Sequence, residues 1–147
     1  MIQEEEIERL VVKNQTSKIN VYREYCQHLF LSYLYQQKEA GNTLFFKGGT
    51  ALRLIYGSPR FSEDLDFSSP SGDVDKIESI IVNTLKEIEH EAIKIDITES
   101  KKTIGGYLAI IEFNFANHKI PLKIEVSFRD WTKNPSAFDT SQAQRFL

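Results

Sequence analysis

The sequence predicts an α+β fold in which helices cover one face of a mixed sheet of about five strands. Three observations carry that expectation. Two long stretches repeat apolar residues at three- and four-residue steps, the spacing of an amphipathic helix. Three consecutive stretches in the second half alternate apolar and polar residues, the spacing of half-buried strands. Between the helical stretches lie two short apolar segments, Leu44 to Phe46 and Asp64 to Phe67, each bounded by turn residues. The chain has 147 residues, 41% of them hydrophobic. It can therefore bury one sizeable core and is too apolar to be disordered.

The first 40 residues read as helical. Ile7, Leu10 and Val11 form a short apolar face, and Asn14-Gln15-Thr16-Ser17 interrupts it with capping side chains. Val21, Tyr22, Tyr25, Cys26, Leu29, Phe30, Tyr33 and Leu34 then mark a helix, with its stop expected at Gly41-Asn42. Leu44-Phe45-Phe46 reads as a strand, Ala51 to Tyr56 as a short helix and Gly57-Ser58-Pro59 as a turn. Asp64-Leu65-Asp66-Phe67 alternates as a strand does, and Ser68 to Gly72 is a loop. Val74, Ile77, Ile80, Ile81, Leu85 and Ile88 mark a second amphipathic helix.

Three strands follow. Ile93, Ile95 and Ile97 define the first, Ile111, Phe113 and Phe115 the second, and Leu122, Ile124, Val126 and Phe128 the third. Gly105-Gly106 and Asn117-His118 separate them. The organisation expected is a helical segment, 1–41, packed on a core, 42–130, with a weakly patterned tail, 131–147, the whole treated as one domain.

Composition sets the bounds on function. A net charge of -3 excludes a global basic field for nucleic acid and leaves room for a local basic patch. One cysteine, Cys26, excludes an internal disulfide framework and a cysteine-rich zinc site; its apolar-periodic setting reads as core packing. The acidic start, Glu4-Glu5-Glu6, is unlike the basic start of a signal peptide, and no apolar run approaches the roughly 20 residues of a membrane span. A cytoplasmic protein with no membrane contact is the expectation.

Three features carry chemistry. At Lys47-Gly48-Gly49-Thr50, a strand meets a helix through glycines. Glycine lets backbone approach a ligand closely, and a helix N-terminus offers unpaired N–H groups to phosphate, with the Thr50 hydroxyl as a further donor. A tight turn that needs glycine explains the same residues. Asp64 and Asp66 are two apart on a strand and so share a face, roughly 6.5–7 Å apart along it. As ionised carboxylates they are oxygen acceptors suited to a hard cation such as Mg²⁺, or else a solvated edge. Glu125 shares its face with Lys123 and Ser127, opposite an apolar face; a solvated glutamate beside a lysine is the plain alternative.

The combination is more specific than its parts. Thirteen residues, Ala51 to Glu63, separate the glycines from Asp64. That leaves room for a helix and a return turn, so the aspartate strand runs beside the glycine strand. Both aspartates, the phosphate-binding backbone and a third carboxylate, Glu125, would then face one pocket able to hold two metal ions. Arg60 is placed to reach a triphosphate bidentately or to pair with a carboxylate. Lys47 and Lys123 are phosphate neutralisers or exposed strand lysines. His118 reads as an exposed turn residue and Trp131 as a packing anchor.

Phe46-Lys47-Gly48-Gly49-Thr50-Ala51-Leu52-Arg53, together with Arg60-Phe61-Ser62-Glu63-Asp64-Leu65-Asp66-Phe67, resembles the signature of the AbiEii/AbiGii toxin family. That family belongs to the DNA-polymerase-β-like nucleotidyltransferases, whose motif is Gly-Gly or Gly-Ser followed by an Asp-x-Asp strand. The resemblance spans roughly Tyr22 to Asp130 and is tightest from Lys47 to Phe67. It implies a nucleotidyltransferase-like sheet and an enzyme that transfers a nucleotide from an NTP, with Mg²⁺ (two ions), to a tRNA, another RNA or a protein hydroxyl. It further implies a toxin of a toxin–antitoxin or phage-defence (abortive infection) system with a cognate antitoxin. On the resemblance, Asp64, Asp66 and Glu125 are the catalytic and metal-binding residues, and Gly48, Gly49 and Thr50 the phosphate loop. Such proteins continue into a C-terminal helical region bearing a further lysine and aspartate, neither of which precedes Leu147. The alternative expectation is therefore a non-catalytic remnant that binds nucleotide or an antitoxin.

Overall fold

The computed structural model describes residues 2–70, 72–115 and 117–128. The expected tail, 131–147, with Trp131, and positions 129 and 130 of the expected core lie outside the described residues.

Helix α1 (Glu4–Asn14) ends at Gln15 in the left-handed conformation, and α2 (Lys18–Leu34) begins where the Ser17 side chain accepts a hydrogen bond from the Asn20 N–H. The polar stretch 14–17 thus stops one helix and caps the next. Helix α2 ends at Leu34, several residues before the stop expected at Gly41-Asn42. The chain leaves the helix to make long-range bonds. The Tyr35 hydroxyl donates to the Leu44 carbonyl at 2.7 Å, and the Gln37 amide donates to the Ile80 carbonyl at 3.0 Å and the Thr84 hydroxyl at 2.8 Å. Gly41 and Asn42 fall inside a single turn, α3 (Ala40–Thr43), and neither has positive φ.

Strand β1 (Phe45–Lys47) runs directly into α4 (Gly48–Tyr56), which Gly57 closes at φ 75°. Then come β2 (Asp64–Ser68), α5 (Val74–Ile88) capped by the Asp73 carboxylate, a 3-10 turn (Glu89–Glu91) and a three-strand meander. The meander is β3 (Lys94–Thr103), β4 (Gly106–Phe115) and β5 (His118–Ser127). Its turns are made by Gly105 at φ 75° and Asn117 at φ 61°. The sheet order is β1-β2-β5-β4-β3, with β2 and β5 parallel and the other pairs antiparallel.

Leu65, Phe67, Tyr107, Ala109, Ile111, Phe113, Leu122, Ile124 and Val126 bury one sheet face in a single cluster with the apolar faces of α2 and α5. Cys26 is part of that core, and burial pushes its thiol pKa up. Each buried Leu, Ile, Val or Phe among them contributes roughly 1.5–3 kcal/mol on leaving water, so the apolar alternation of β5 cannot slip by one residue without reversing the face. Ile97 departs from expectation. A register shift between Ile97 and Glu99 bends edge strand β3, and Ile97 is 47% exposed instead of continuing the buried row of Ile93 and Ile95.

The same alternation sends the polar residues to the opposite face. Lys47 pairs with Asp66, Asp66 with Glu125, Glu125 with Leu108, and Leu108 with Lys101. These five residues form one row across all five strands. Asp64 and Lys123 are register partners in the next row.

Candidate active site

The row Lys47–Asp66–Glu125 is the floor of a cleft of about 410 Å³. Its far wall is the β3–β4 turn, Thr103 to Gly106, continued by Tyr107 and Leu108, and Ser127 closes the end. The volume lies within the roughly 300–1,000 Å³ of small-molecule sites.

Asp66 is the most perturbed carboxyl of the floor. Its pKa is pushed up to about 6, first by burial, then by the charges of Glu125 and Asp64 and by a hydrogen bond with Glu125, with Lys47 acting against the rise. A hydrogen bond between two carboxyl groups requires a proton on one of them. Glu125 also accepts from the Lys123 ammonium at 2.8 Å. Lys123 in turn has its pKa raised, mainly by the hydrogen bond and charge of Glu125, with smaller contributions from Asp64 and Asp66. The site thus gathers three carboxylates with Lys123 beside Glu125 and Lys47 beside Asp66.

The backbone comes close to this group at Gly48. Its φ is 86°, and a Cβ added there would lie 2.7 Å from Asp66 Oδ2. Only glycine lets the turn into α4 sit against the Asp66 carboxylate. Gly49 has no such constraint and faces another cleft. The local sequence explains the placement: β1 ends at Lys47, opposite Asp66 in the antiparallel ladder, and the chain turns into α4 immediately.

Several expectations need correction. Thr50 is 1% exposed, and its hydroxyl donates to the Asp64 carbonyl oxygen. It ties α4 to β2 and does not present a donor to the cleft. Arg60 lines a different cleft, of about 570 Å³, with Gly49, Leu52, Phe61 and Glu63. The reason is how the return loop is held. Arg53 pairs with Glu24, donates to the Ser58 carbonyl at 3.0 Å and stacks over the Phe61 ring at 3.5 Å. The buried Gln27 amide donates to the Ser62 carbonyl at 2.8 Å. These bonds draw residues 58–63 towards α2. Asp64 shares the face of Asp66 and its charge helps raise the Asp66 pKa, while only Asp66 of the two lines the 410 Å³ cleft itself, so Asp64 stands at the site's edge. His118 is exposed, as expected, and its ring lies 4.9 Å from that of Tyr22.

The residues missed from sequence are the cleft's far wall and the loop's anchors. Gly105-Gly106 reads as a break in sequence, yet a Cβ on Gly106 would lie 2.0 Å from the Val126 carbonyl oxygen. That contact depends on β4–β5 pairing, and no local pattern encodes it. Glu24 and Gln27 gave no local signal beyond their helical positions, and Arg53, though within the stretch that resembles the family signature, gave none for its role as a loop anchor.

A hard divalent cation fits the donor chemistry. The anionic donors at the floor are carboxylate oxygens, and the repulsion of Glu125 and Asp64 that helps raise the Asp66 pKa is what a cation would relieve. Among the described residues no group of three His, Cys, Asp or Glu side chains already converges as a metal cage. Asp66 and Asp64 would hold the ion, with Glu125 joining on release from Lys123.

Among solved structures, the chain is similar to a candidate nucleotidyltransferase from H. pylori (25% identity, TM-score 0.56, covering 80% of this chain and 49% of that one) and to JHP933 from Helicobacter pylori (25% identity, TM-score 0.56, covering 80% and 47%). The chain therefore spans about half the length of these solved structures. No curated protein matches it. No helix among the described residues is long and apolar enough to cross a membrane. The model of the family described as nucleotidyl transferase AbiEii toxin, Type IV toxin–antitoxin system, matches residues 30–140, and with Gly48 seated on an aspartate strand beside Glu125 the chain belongs to that family.

Proposed function

We propose that this chain is the nucleotide-binding core of a Mg²⁺-dependent nucleotidyltransferase toxin, taking an NTP in the 410 Å³ cleft and transferring its nucleotidyl group to a hydroxyl of an RNA such as tRNA, or of a protein. The observation that carries this reading is the register Lys47–Asp66–Glu125 beneath the Gly48 backbone, with Asp66 carrying an unmet charge surplus. Family membership supports the reaction class and a cognate antitoxin, and a role in phage defence and a cytoplasmic location are part of the same proposal.

In the proposed reaction the acceptor oxygen bonds to the α-phosphorus, the bond to the bridging oxygen breaks, and pyrophosphate leaves with the electron pair. Bound Mg²⁺ would neutralise triphosphate charge and act as a Lewis acid. The chain's residues position and neutralise. Asp64 and Asp66 would hold the ion, Lys47 would face the phosphates beside Gly48, and Lys123 restrains Glu125 through their ion pair at 2.8 Å. The site's carboxylates take up the acceptor proton. Electrostatic preorganisation is the main contribution, and removing one such group costs about 10²–10³ in rate.

The test incubates the chain with each labelled NTP, Mg²⁺ and total RNA. Saturable NTP binding that Asp66→Asn abolishes, with label on RNA or protein, is expected. No NTP binding in the presence of Mg²⁺ would overturn the reading. A second reading, binding without transfer, is favoured by the Glu125–Lys123 pair, which leaves the third carboxylate turned towards a lysine. Binding without label would select it.

A further inference from the structure

The cleft's far wall does nothing in the carboxylate chemistry, and its composition is unusual for a turn. Turn positions favour Gly, Asn, Asp and Ser. Here Gly105 takes the left-handed position, and the other turn residue is Ile104, β-branched, apolar and 94% exposed. The turn is nonetheless pinned. The Gly105 carbonyl accepts from the Phe128 N–H at 2.9 Å, and Gly106 abuts the Val126 carbonyl so closely that no other residue fits. Ile104 is thus held out into water at the cleft by a turn tied to β5.

Leu108 makes the second half of the surface. It stands beside Glu125 in the row, on the face that β4 turns away from the core, and lines the same cleft. Neighbouring strands lie about 4.8 Å apart, which puts the Leu108 backbone about 5 Å from Glu125 and about 10 Å from Asp66. One end of the cleft is therefore charged and the other apolar. A ligand fitting both needs an anionic group joined to a flat apolar one.

We propose that Ile104 and Leu108 form the nucleobase subsite of the cleft, packing against the base of a nucleoside triphosphate whose phosphates lie at Lys47, Gly48 and Asp66. The inference rests on the NTP reading above and adds to it where the base goes and which residues set base affinity. The contacts come from apolar side chains that make no hydrogen bond to the base, so affinity gained from the base should differ only modestly among the four NTPs.

Calorimetric titration of the full chain with Mg²⁺ and inorganic tripolyphosphate, and separately with each NTP, tests it. Tripolyphosphate reports the charged end alone. The wild type should bind at least one NTP about tenfold tighter than tripolyphosphate, the yield of burying an aliphatic side chain against a base. Ile104→Ser, at a fully exposed turn position, and Leu108→Ser should each remove most of that advantage and leave tripolyphosphate affinity unchanged. Val12→Ser, on exposed α1 surface, should change neither. NTP binding by both cleft variants at wild-type strength overturns the proposal. So does equal weakening of NTP and tripolyphosphate, or a wild type that binds both alike. If neither tripolyphosphate nor any NTP binds the wild type with Mg²⁺, the NTP reading fails and this inference with it.

Discussion

Replacing Gly48 with alanine should disable the site while leaving the fold recognisable. At φ 86° an L-residue incurs roughly 1–2 kcal/mol that glycine does not. The new Cβ would stand 2.7 Å from Asp66 Oδ2, so the carboxylate must retreat by several tenths of an ångström to reach ordinary contact. A side chain can do this by rotating off its rotamer, for about 0.5–1.5 kcal/mol. The total is about 1.5–3.5 kcal/mol, a fall in melting midpoint of about 5–11 °C for a domain of this size. The functional cost is larger, because displacing a positioned group by about 1 Å costs about 100-fold. Gly49→Ala is the internal control: its φ is not positive, and the added Cβ would meet Ser62 Oγ at 3.4 Å, an ordinary contact. Thermal melts and Mg²⁺–NTP titration of both variants read the difference. Wild-type melting and binding in Gly48→Ala, or equal losses in Gly49→Ala, would refute the assignment of Gly48 as the carboxylate's seat.

Asp66 predicts a pH dependence. Its pKa in the fold, about 6, lies above the ordinary 3.8, so its contribution is fully present below about pH 4 and is lost as pH rises through 6. The group is partly solvated, which reduces the cost to about 1 kcal/mol at neutral pH. Metal-free melts should therefore show Asp66→Asn gaining on the wild type as pH rises from about 4 to 6.5, and Mg²⁺ should raise the wild-type midpoint at pH 7.5 but not that of the variant; an equal Mg²⁺ shift in both removes Asp66 from the ion site. Arg53→Ala should lose about 2–3 kcal/mol in denaturant titrations, since a half-buried ion pair, a ring contact and a carbonyl bond go together, whereas exposed Arg60→Ala should stay within about 0.5 kcal/mol. Equal losses would mean that Arg53 does not hold the return loop.

What the sequence by itself determined is what depends on neighbours along the chain. The helical periods of α2 and α5, the alternation of β5, the Asn14–Ser17 caps and the shared face of Asp64 and Asp66 all follow from spacings of two to four residues. So did the glycine turn from β1 into α4, because its residues must adopt that turn wherever the strand goes. What only the tertiary structure decided is what depends on which strands become neighbours. Nothing local says that β5 enters the sheet parallel to β2, and that pairing puts Glu125 against Asp66, where its charge adds to burial in raising the Asp66 pKa. Long-range hydrogen bonds from Tyr35 and Gln37, not Gly41-Asn42, follow the end of α2 at Leu34. The Thr50 hydroxyl turned inward because the Asp64 carbonyl needed a donor where α4 meets β2, and Arg60 went to a second cleft because Arg53 and Gln27 hold its loop on α2. The β3–β4 turn became a cleft wall because β4–β5 register brings Gly106 onto Val126. Backbone period is written residue by residue, whereas strand order is chosen by burying all the apolar faces at once, and the site is made where that choice brings distant polar faces together.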